Sequence, residues 1–413
     1  MHETLEHRFL ARLAECPPTD PQYVPRVVDA LLASAREVGA SDIHLRPTAD
    51  SLQMVWRVDG VLQPVTDLPA ELAPKVIARL KVLANLLTYR TEVPQEGRLR
   101  ENAAEIETRL STFPTMFGEK AVVRLFAETG RYHRLDDLNL PAETRDALDR
   151  LLDQTGGVIL FTGPAGSGKT TTIYACLREI LDKSRGRRSL VSLEDPIEVV
   201  VDGVDQSQLN PAAGFDMQTG LRSLVRQDPE VMMVGEIRDH TTAEIVFQAS
   251  LTGHLVLTTF HAGSAATAIS RLSDMGIEPY LLRSGILAIV CQRLLRRLCA
   301  CRREAADPEA KLGLPVARAF VPAGCQECAG TGYHGRMVVT EMIEPGRSEL
   351  GRAILSRSDS GHLEKLAIDS GMVSQYQRAC QAVENGSTSP EEVVRVYGTS
   401  GHGLNEIRST KHE

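Results

Sequence analysis

Gly163-Pro164-Ala165-Gly166-Ser167-Gly168-Lys169-Thr170 satisfies G-x-x-x-x-G-K-[ST] at every fixed position. Its neighbours fit the same reading. The apolar run Val158–Thr162 before it reads as a buried strand, and 170–181 after it reads as a helix. Glycines let backbone N–H groups close around phosphate oxygens, and the N-terminus of the next helix adds its positive end. Lys169 is then a point charge for β- and γ-phosphates. The Thr170 hydroxyl is a Mg²⁺ ligand, and Thr171 continues the set into the helix. A strand, a phosphate loop and a helix in that order point to an α/β nucleotide-binding core.

A phosphate loop alone binds nucleotide, whereas hydrolysis also needs a second support for the metal and a group that orients water. Ser189–Leu193, Val231–Val234 and Leu255–Thr259 are further continuous apolar runs separated by helical stretches, the pattern of a parallel sheet covered on both faces. The first leads into Glu194-Asp195-Pro196-Ile197-Glu198 and the second into Gly235-Glu236-Ile237-Arg238-Asp239. Ligands of open parallel sheets sit at the carboxyl ends of the strands, so Glu194 and Glu236 can both face the phosphates. His254 and His261 bracket the third run. A lone histidine is usually structural, but a pair flanking one strand can sense a γ-phosphate.

Upstream, 22–38 reads as an amphipathic helix. Residues 41–46 and 51–58 read as strands, with a turn at Asp59-Gly60. Residues 70–87 return to helical periodicity, and 105–113 with 119–126 form a second strand pair around the Phe113–Gly118 loop. This divides the chain into a tail (1–20), an α+β domain (21–126), a polar linker (127–140), the nucleotide core (141–290), a cysteine-bearing insertion with a return strand (291–345), and a helical C-terminal region with a frayed tail (346–413). The apolar stretch Gly285–Cys291 reads as a buried helix.

Hydrophobic residues make up 42% and charged residues 24% of 413, ordinary for a globular chain. Forty-six basic against 54 acidic residues give a net charge of −8, and aromatics are only 4%. That balance argues against a nucleic-acid binder. No apolar run approaches the ~18 residues of a membrane span, and the acidic N-terminus lacks a signal-peptide core. The expected location is the cytoplasm, with membrane contact only through partners. In a reducing compartment the eight cysteines are not expected as disulfides. Cys16, Cys176, Cys291 and Cys380 read as small buried hydrophobes. Cys299-Ala-Cys301 and, 23 residues on, Cys325-Gln-Glu-Cys328 read as a four-thiolate structural zinc knuckle.

Over roughly residues 22–395 the chain resembles the ATPases of type II secretion and type IV pilus assembly. The stretches that carry the likeness are Ala40-Ser-Asp-Ile-His44, Arg57-Val-Asp-Gly60, Pro94-Gln-Glu-Gly-Arg98, Leu110-Ser-Thr-Phe-Pro114 and Gly118-Glu-Lys120. In the core they are the phosphate loop, Glu194–Glu198, Arg226-Gln-Asp-Pro229, Val234–Asp239 and Thr252–His261. The resemblance implies a RecA-like ATPase core with a PAS-like N-terminal domain and a small tetracysteine insertion, working as a homo-hexameric ring on ATP with Mg²⁺. Carried over by motif, Glu236 supports the metal through water and Glu194 orients or deprotonates the attacking water, two roles that can be exchanged. His261 contacts the γ-phosphate, Arg109 and Arg124 reach the phosphates from the N-terminal domain, and Arg222, Arg226 and His254 are further nucleotide-binding candidates. The family's tetracysteine insertion usually opens with CxxC. Here it opens with CxC, which changes the loop geometry. Implied partners are an inner-membrane platform protein and the cytoplasmic domain of a membrane assembly protein. With only residues 1–21 ahead of the match, docking is expected through the PAS-like domain, the platform protein or that short tail. A pilus-retraction motor or other secretion ring ATPase, and a non-hydrolysing nucleotide-sensing scaffold, stand as alternatives. Retraction motors typically lack the cysteine insertion.

Overall fold

The computed structural model describes residues 4–14, 16–99, 108–125, 132–346 and 348–398. Parts of the expected strand pair (105–107 and 126), of the linker (127–131) and of the tail (399–413) lie outside the described residues. The chain forms two compact units. One contains 1–128, 296–305 and 320–336; the other contains 129–295, 306–319 and 337–413. The cysteine-bearing segments thus group with the N-terminal residues.

The first unit opens with α1 (Leu5–Ala11) and α2 (Tyr23–Glu37). The expected tail is therefore a capped helix whose Leu5 and Phe9, with Leu13 just beyond, enter the core. Next come β1 (Ala40–Pro47), β2 (Ser51–Val58), β3 (Val61–Pro69), α3 (Ala73–Leu83), β4 (Gln95–Leu99), β5 (Thr108–Thr115) and β6 (Gly118–Leu125). The six strands form one sheet in the order β3-β2-β1-β6-β5-β4, antiparallel throughout. Asp59 and Gly60 both adopt positive φ (50° and 84°), the two-residue turn that joins β2 to β3. One face of the sheet buries Ile43, Leu45, Leu52, Met54, Trp56 and Val123 with α2 and α3. Two charges are buried at the hairpin end: Lys81, fully buried, meets Glu119 at 2.5 Å and donates to the Arg90 carbonyl at 2.9 Å. The knuckle segment carries the short β13 (Arg303–Glu304) and β14 (Phe320–Val321), and Ala329 packs on the same core.

The second unit runs α4 (Ala142–Leu151), β7 (Gly157–Thr162), α5 (Lys169–Ser184), β8 (Leu190–Glu194), β9 (Asp205–Gln208), α6 (Met217–Leu224), β10 (Val231–Val234), α7 (His240–Leu251), β11 (Leu255–Phe260), α8 (Ala265–Asp274) and α9 (Pro279–Gly285). β12 (Ile286–Leu298), β15 (Tyr333–Ile343), α10 (Glu349–Leu355), α11 (Ser360–Asp369), α12 (Gln375–Glu384) and α13 (Pro390–Tyr397) follow. Seven strands are ordered β15-β12-β7-β11-β10-β8-β9, and every pair from β12 to β9 is parallel. Strand periodicity splits the core into two. Val158 and Leu160 of β7, Val256 of β11 and Met232 of β10 face one cluster, with α6 to α11. Ile159, Phe161, Leu257 and Met233 face the other, with α4 and α5. A sheet covered on both sides explains why these strands read as unbroken apolar runs.

The expected helix at Gly285–Cys291 is instead strand β12, registered from Ile286↔Val158 to Cys291↔Thr162. Its Ile286, Ile289 and Val290 are β-branched, and beside β7 every residue of Ile286–Cys291 except Leu287 is buried. A short apolar run is ambiguous between helix and strand, and here the neighbouring strand decides. Among the described residues no helix is long and apolar enough to cross a membrane.

Candidate functional site

β7 ends at Thr162 and α5 starts at Lys169, so the phosphate loop fills the turn between them. Gly163, Gly166 and Gly168 all adopt positive φ (141°, 72° and 89°), a backbone that side chains rarely allow. A Cβ on Gly163 would lie 2.3 Å from the Gln292 carbonyl oxygen and 2.7 Å from Ser167 Oγ. Ser167 Oγ is itself buried with no hydrogen-bond partner among the described residues. Lys169 folds back on the loop, donating to the carbonyls of Gly163 and Pro164, each at 2.9 Å. Burial pushes its ammonium pKa down, while Glu236 and Glu198 nearby pull it back up. A buried lysine held on its own loop carbonyls, an orphaned hydroxyl and left-handed glycines fit a phosphate chain that takes over those contacts.

A cleft of about 280 Å³ opens at the carboxyl ends of β7, β8, β10 and β11. Ala165, Gly166, Lys169 and Thr170 line it from the loop, with Glu194, Glu198, Glu236 and His261 from the strand ends. Gly163, Pro164, Ser167, Gly168 and Thr171 stand outside that lining. His261 Nε2 lies 3.2 Å from Glu236 Oε2, and Arg238 binds the other oxygen of the same carboxylate. Glu194 is buried and held by three donors: Tyr174 Oη from α5, Ser192 Oγ at 2.6 Å and Gln206 Nε2 at 3.0 Å. Tyr174 Oη also accepts from the Glu198 N–H at 3.2 Å. Burial, then the Glu194 carboxylate, raises the Tyr174 pKa, so the hydroxyl stays a donor.

Sequence reasoning missed Tyr174, Ser192, Gln206 and Arg238. Ser192 and Arg238 were within reach, since each stands two residues from the glutamate it binds. Gln206 comes from the parallel neighbour β9, and only the fold brings it in. His254 is a correction. It stands at the amino end of β11, opposite the cleft, where its Nδ1 meets the Ala249 carbonyl at 2.9 Å and finishes α7. Six strand residues at about 3.3 Å each span about 20 Å, so the residues just before and just after β11 lie at opposite edges of the sheet. Arg222 and Arg226 are exposed on α6 and just after it, outside the cleft lining.

Arg109 and Arg124 belong to the first unit. They face each other across β5 and β6, and the same register row carries Arg98, Asp42 and Arg57. Asp42 meets Arg124 at 3.1 Å and Arg57 at 3.5 Å, so one carboxylate is shared within a mostly basic row.

All four knuckle sulfurs lie within 4.8 Å of one another. Cys299–Cys325 and Cys325–Cys328 are 3.7 Å apart and Cys301–Cys328 4.0 Å. Four sulfurs at the ~2.3 Å zinc–sulfur distance in a tetrahedron stand about 3.8 Å apart. The Cys325 and Gly332 amides also point at Cys328 Sγ, at 3.1 and 3.2 Å. The CxC spacing thus still delivers both sulfurs, one to each cysteine of the second pair. Of the remaining cysteines, Cys176, Cys291 and Cys380 are buried and Cys16 is partly exposed.

Comparison with known proteins agrees with this geometry. The chain is 39% identical over 391 residues to the type II secretion system ATPase E of Vibrio cholerae, covering 91% of this chain and 76% of that protein. It is 36% identical over 386 residues to the type IV pilus assembly ATPase PilB of Thermus thermophilus, covering 91% of this chain but 43% of that longer protein. The X-ray structure of the Legionella pneumophila ATPase DotB shares the fold, with a TM-score of 0.66 at 21% identity, covering 91% of this chain and 96% of that one. The family model described as type II/IV secretion system protein matches residues 18–395, and the chain belongs to that family.

Proposed function

We propose that this chain is a motor ATPase that hydrolyses ATP to ADP and phosphate and uses the cycle to drive pseudopilus or pilus assembly, working as a homo-hexameric ring in the cytoplasm beneath a membrane platform protein. The observation that supports this most directly is one cleft in which Lys169 faces Glu194, Glu236 and His261 from neighbouring strand ends. Lys169 exchanges its two loop carbonyls for β- and γ-phosphate oxygens. Thr170 and, through water, Glu236 would hold Mg²⁺, which would supply neutralisation of the phosphate charge. Glu194, with three of about four acceptor sites taken by fixed donors, is suited to orient one water. His261 and Arg238 share Glu236, and in this reading both turn towards the γ-phosphate when it arrives. Zinc on the four thiolates is structural, since a closed sulfur shell leaves no position for water.

The test is phosphate release by purified protein with Mg²⁺ and ATP, in the wild type and in Lys169→Ala. Turnover that disappears in the variant supports the reading. Wild-type protein that binds ATP but releases no phosphate, even when assembled, makes it a nucleotide-sensing scaffold instead.

A further inference from the structure

Glu341, on β15, is 4% exposed and stands apart from the cleft lining. One carboxylate oxygen accepts from the Ala265 N–H at 2.8 Å, and the other accepts from the Gln375 N–H at 3.2 Å. These amides are the first residues of α8 and α12. Ser264 and Ser374 cap the two helices in the same way, each accepting from the third helical amide. One buried charge thus closes two helix N-termini and complements both dipoles. Burial raises its pKa and Glu364 adds to that, while the two amides and, less strongly, Arg293 oppose it. Arg293 in turn lies over the Tyr397 ring at the end of α13, 5.8 Å from its centroid.

One of the two helices that Glu341 fixes, α8, starts just after His261 of the cleft lining. Only Ala262 and Gly263 separate His261 from the Ser264 cap. The Ala262 N–H bonds Thr162 Oγ1 at 2.9 Å, beside the phosphate loop, and Gly263 accepts from Cys291 Sγ at 3.5 Å. The His261 loop is therefore strung between the phosphate-loop strand at one end and Glu341 at the other.

We propose that Glu341 is a positioning residue for hydrolysis: it holds the start of α8, and with it the His261 loop, to the start of α12. It rests on the ATPase reading of the cleft. A His261 displaced when the γ-phosphate leaves pulls on α8, and the shared carboxylate carries that pull to α12 and α13.

The experiment uses the full chain in the assembly state in which wild type turns over. It measures kcat, the Kd of a non-hydrolysable ATP analogue, and amide exchange at residues 265 and 375, for Glu341→Ala and the isosteric Glu341→Gln. Loss of positioning without loss of binding is expected to lower kcat about tenfold or more in the alanine variant, with Kd within about threefold of wild type. Exchange rises at both helix starts, and glutamine, which keeps one acceptor oxygen, falls between. Should the alanine variant fail to fold, the same three readouts in glutamine decide. A kcat within about twofold of wild type, a loss carried wholly by Kd, or faster exchange at only one of the two helices overturns the proposal. Wild type that releases no phosphate overturns the hydrolytic reading itself, a separate result from an active wild type matched by its variant.

Discussion

Tyr174→Phe removes one oxygen from beside buried Glu194 and nothing else. The ring stays, so no cavity of the kind left by a large-to-small change forms. Two bonds are lost: the one Tyr174 donates to buried Glu194, and the one it accepts from the Glu198 N–H. A hydrogen bond to a charged group contributes about 1.5–3 kcal/mol and a neutral one about 1 kcal/mol, so the variant is expected to lose about 2.5–4 kcal/mol of stability. Domains are stable by only ~5–15 kcal/mol, which makes that loss easy to measure. With two units in the chain, the assay is urea unfolding read at the transition that bound nucleotide shifts, because ligand stabilises only the unit that binds it. Glu194 then keeps two donors and gains freedom to turn. An orientation error costing about 1.4 kcal/mol slows turnover about tenfold, so kcat falls at least that far while the affinity for ATP holds. Turnover within about twofold of wild type and an unfolding midpoint equivalent to under ~0.5 kcal/mol of change would refute the claim that this hydroxyl sets Glu194.

Other outcomes follow from the same structure. Glu236→Gln keeps nucleotide binding and slows phosphate release by about a hundredfold or more, the scale of losing a group that acts on the transition state; unaltered turnover in a phosphate-release assay removes it from the chemistry. Elemental analysis of freshly purified protein finds about one zinc per chain, and a strong chelator destabilises the unit that contains 1–128; zero zinc rejects the four-thiolate reading. Glu119→Ala strands the fully buried Lys81 ammonium and costs about 3–5 kcal/mol in denaturant unfolding, whereas an exposed ion pair such as Arg352–Glu349 costs under ~1 kcal/mol.

How much of this was readable beforehand depended on how local each signal is. The phosphate loop is contiguous, so its residues could be named from the sequence, and the β2–β3 turn was legible because Asp-Gly permits the left-handed backbone the hairpin needs. Glu194 and Glu236 could be named as candidates, and both line the cleft, because strand ends in a parallel sheet converge on one edge. The misreadings are of another kind. β12 looked helical because a short apolar run has no period of its own, and only the slot beside β7 settles it. Leu5, Phe9 and Leu13 stand at helical spacing in a short stretch, and their burial depends on a surface made by sequence far downstream. His254 failed because symmetry about a strand in sequence is opposition in space: its two flanks sit at opposite edges of the sheet.

The same logic separates what the cleft shows from what surrounds it. A glutamate can be picked out by its motif, but whether it can act depends on which donors hold it, and those come from elements with no sequence relation to it. Glu194 depends on Tyr174 of the phosphate-loop helix, so the residue proposed to aim the water is anchored to the helix whose first turn carries Lys169. His261 is tied through Ala262 to Thr162, the residue immediately before the loop. Phosphate arriving at Lys169 therefore meets the carboxylate proposed to aim the water and the histidine proposed to contact the γ-phosphate, both already fastened to the loop's two flanks. A change at the loop moves both together, which is the requirement for coupling hydrolysis to movement.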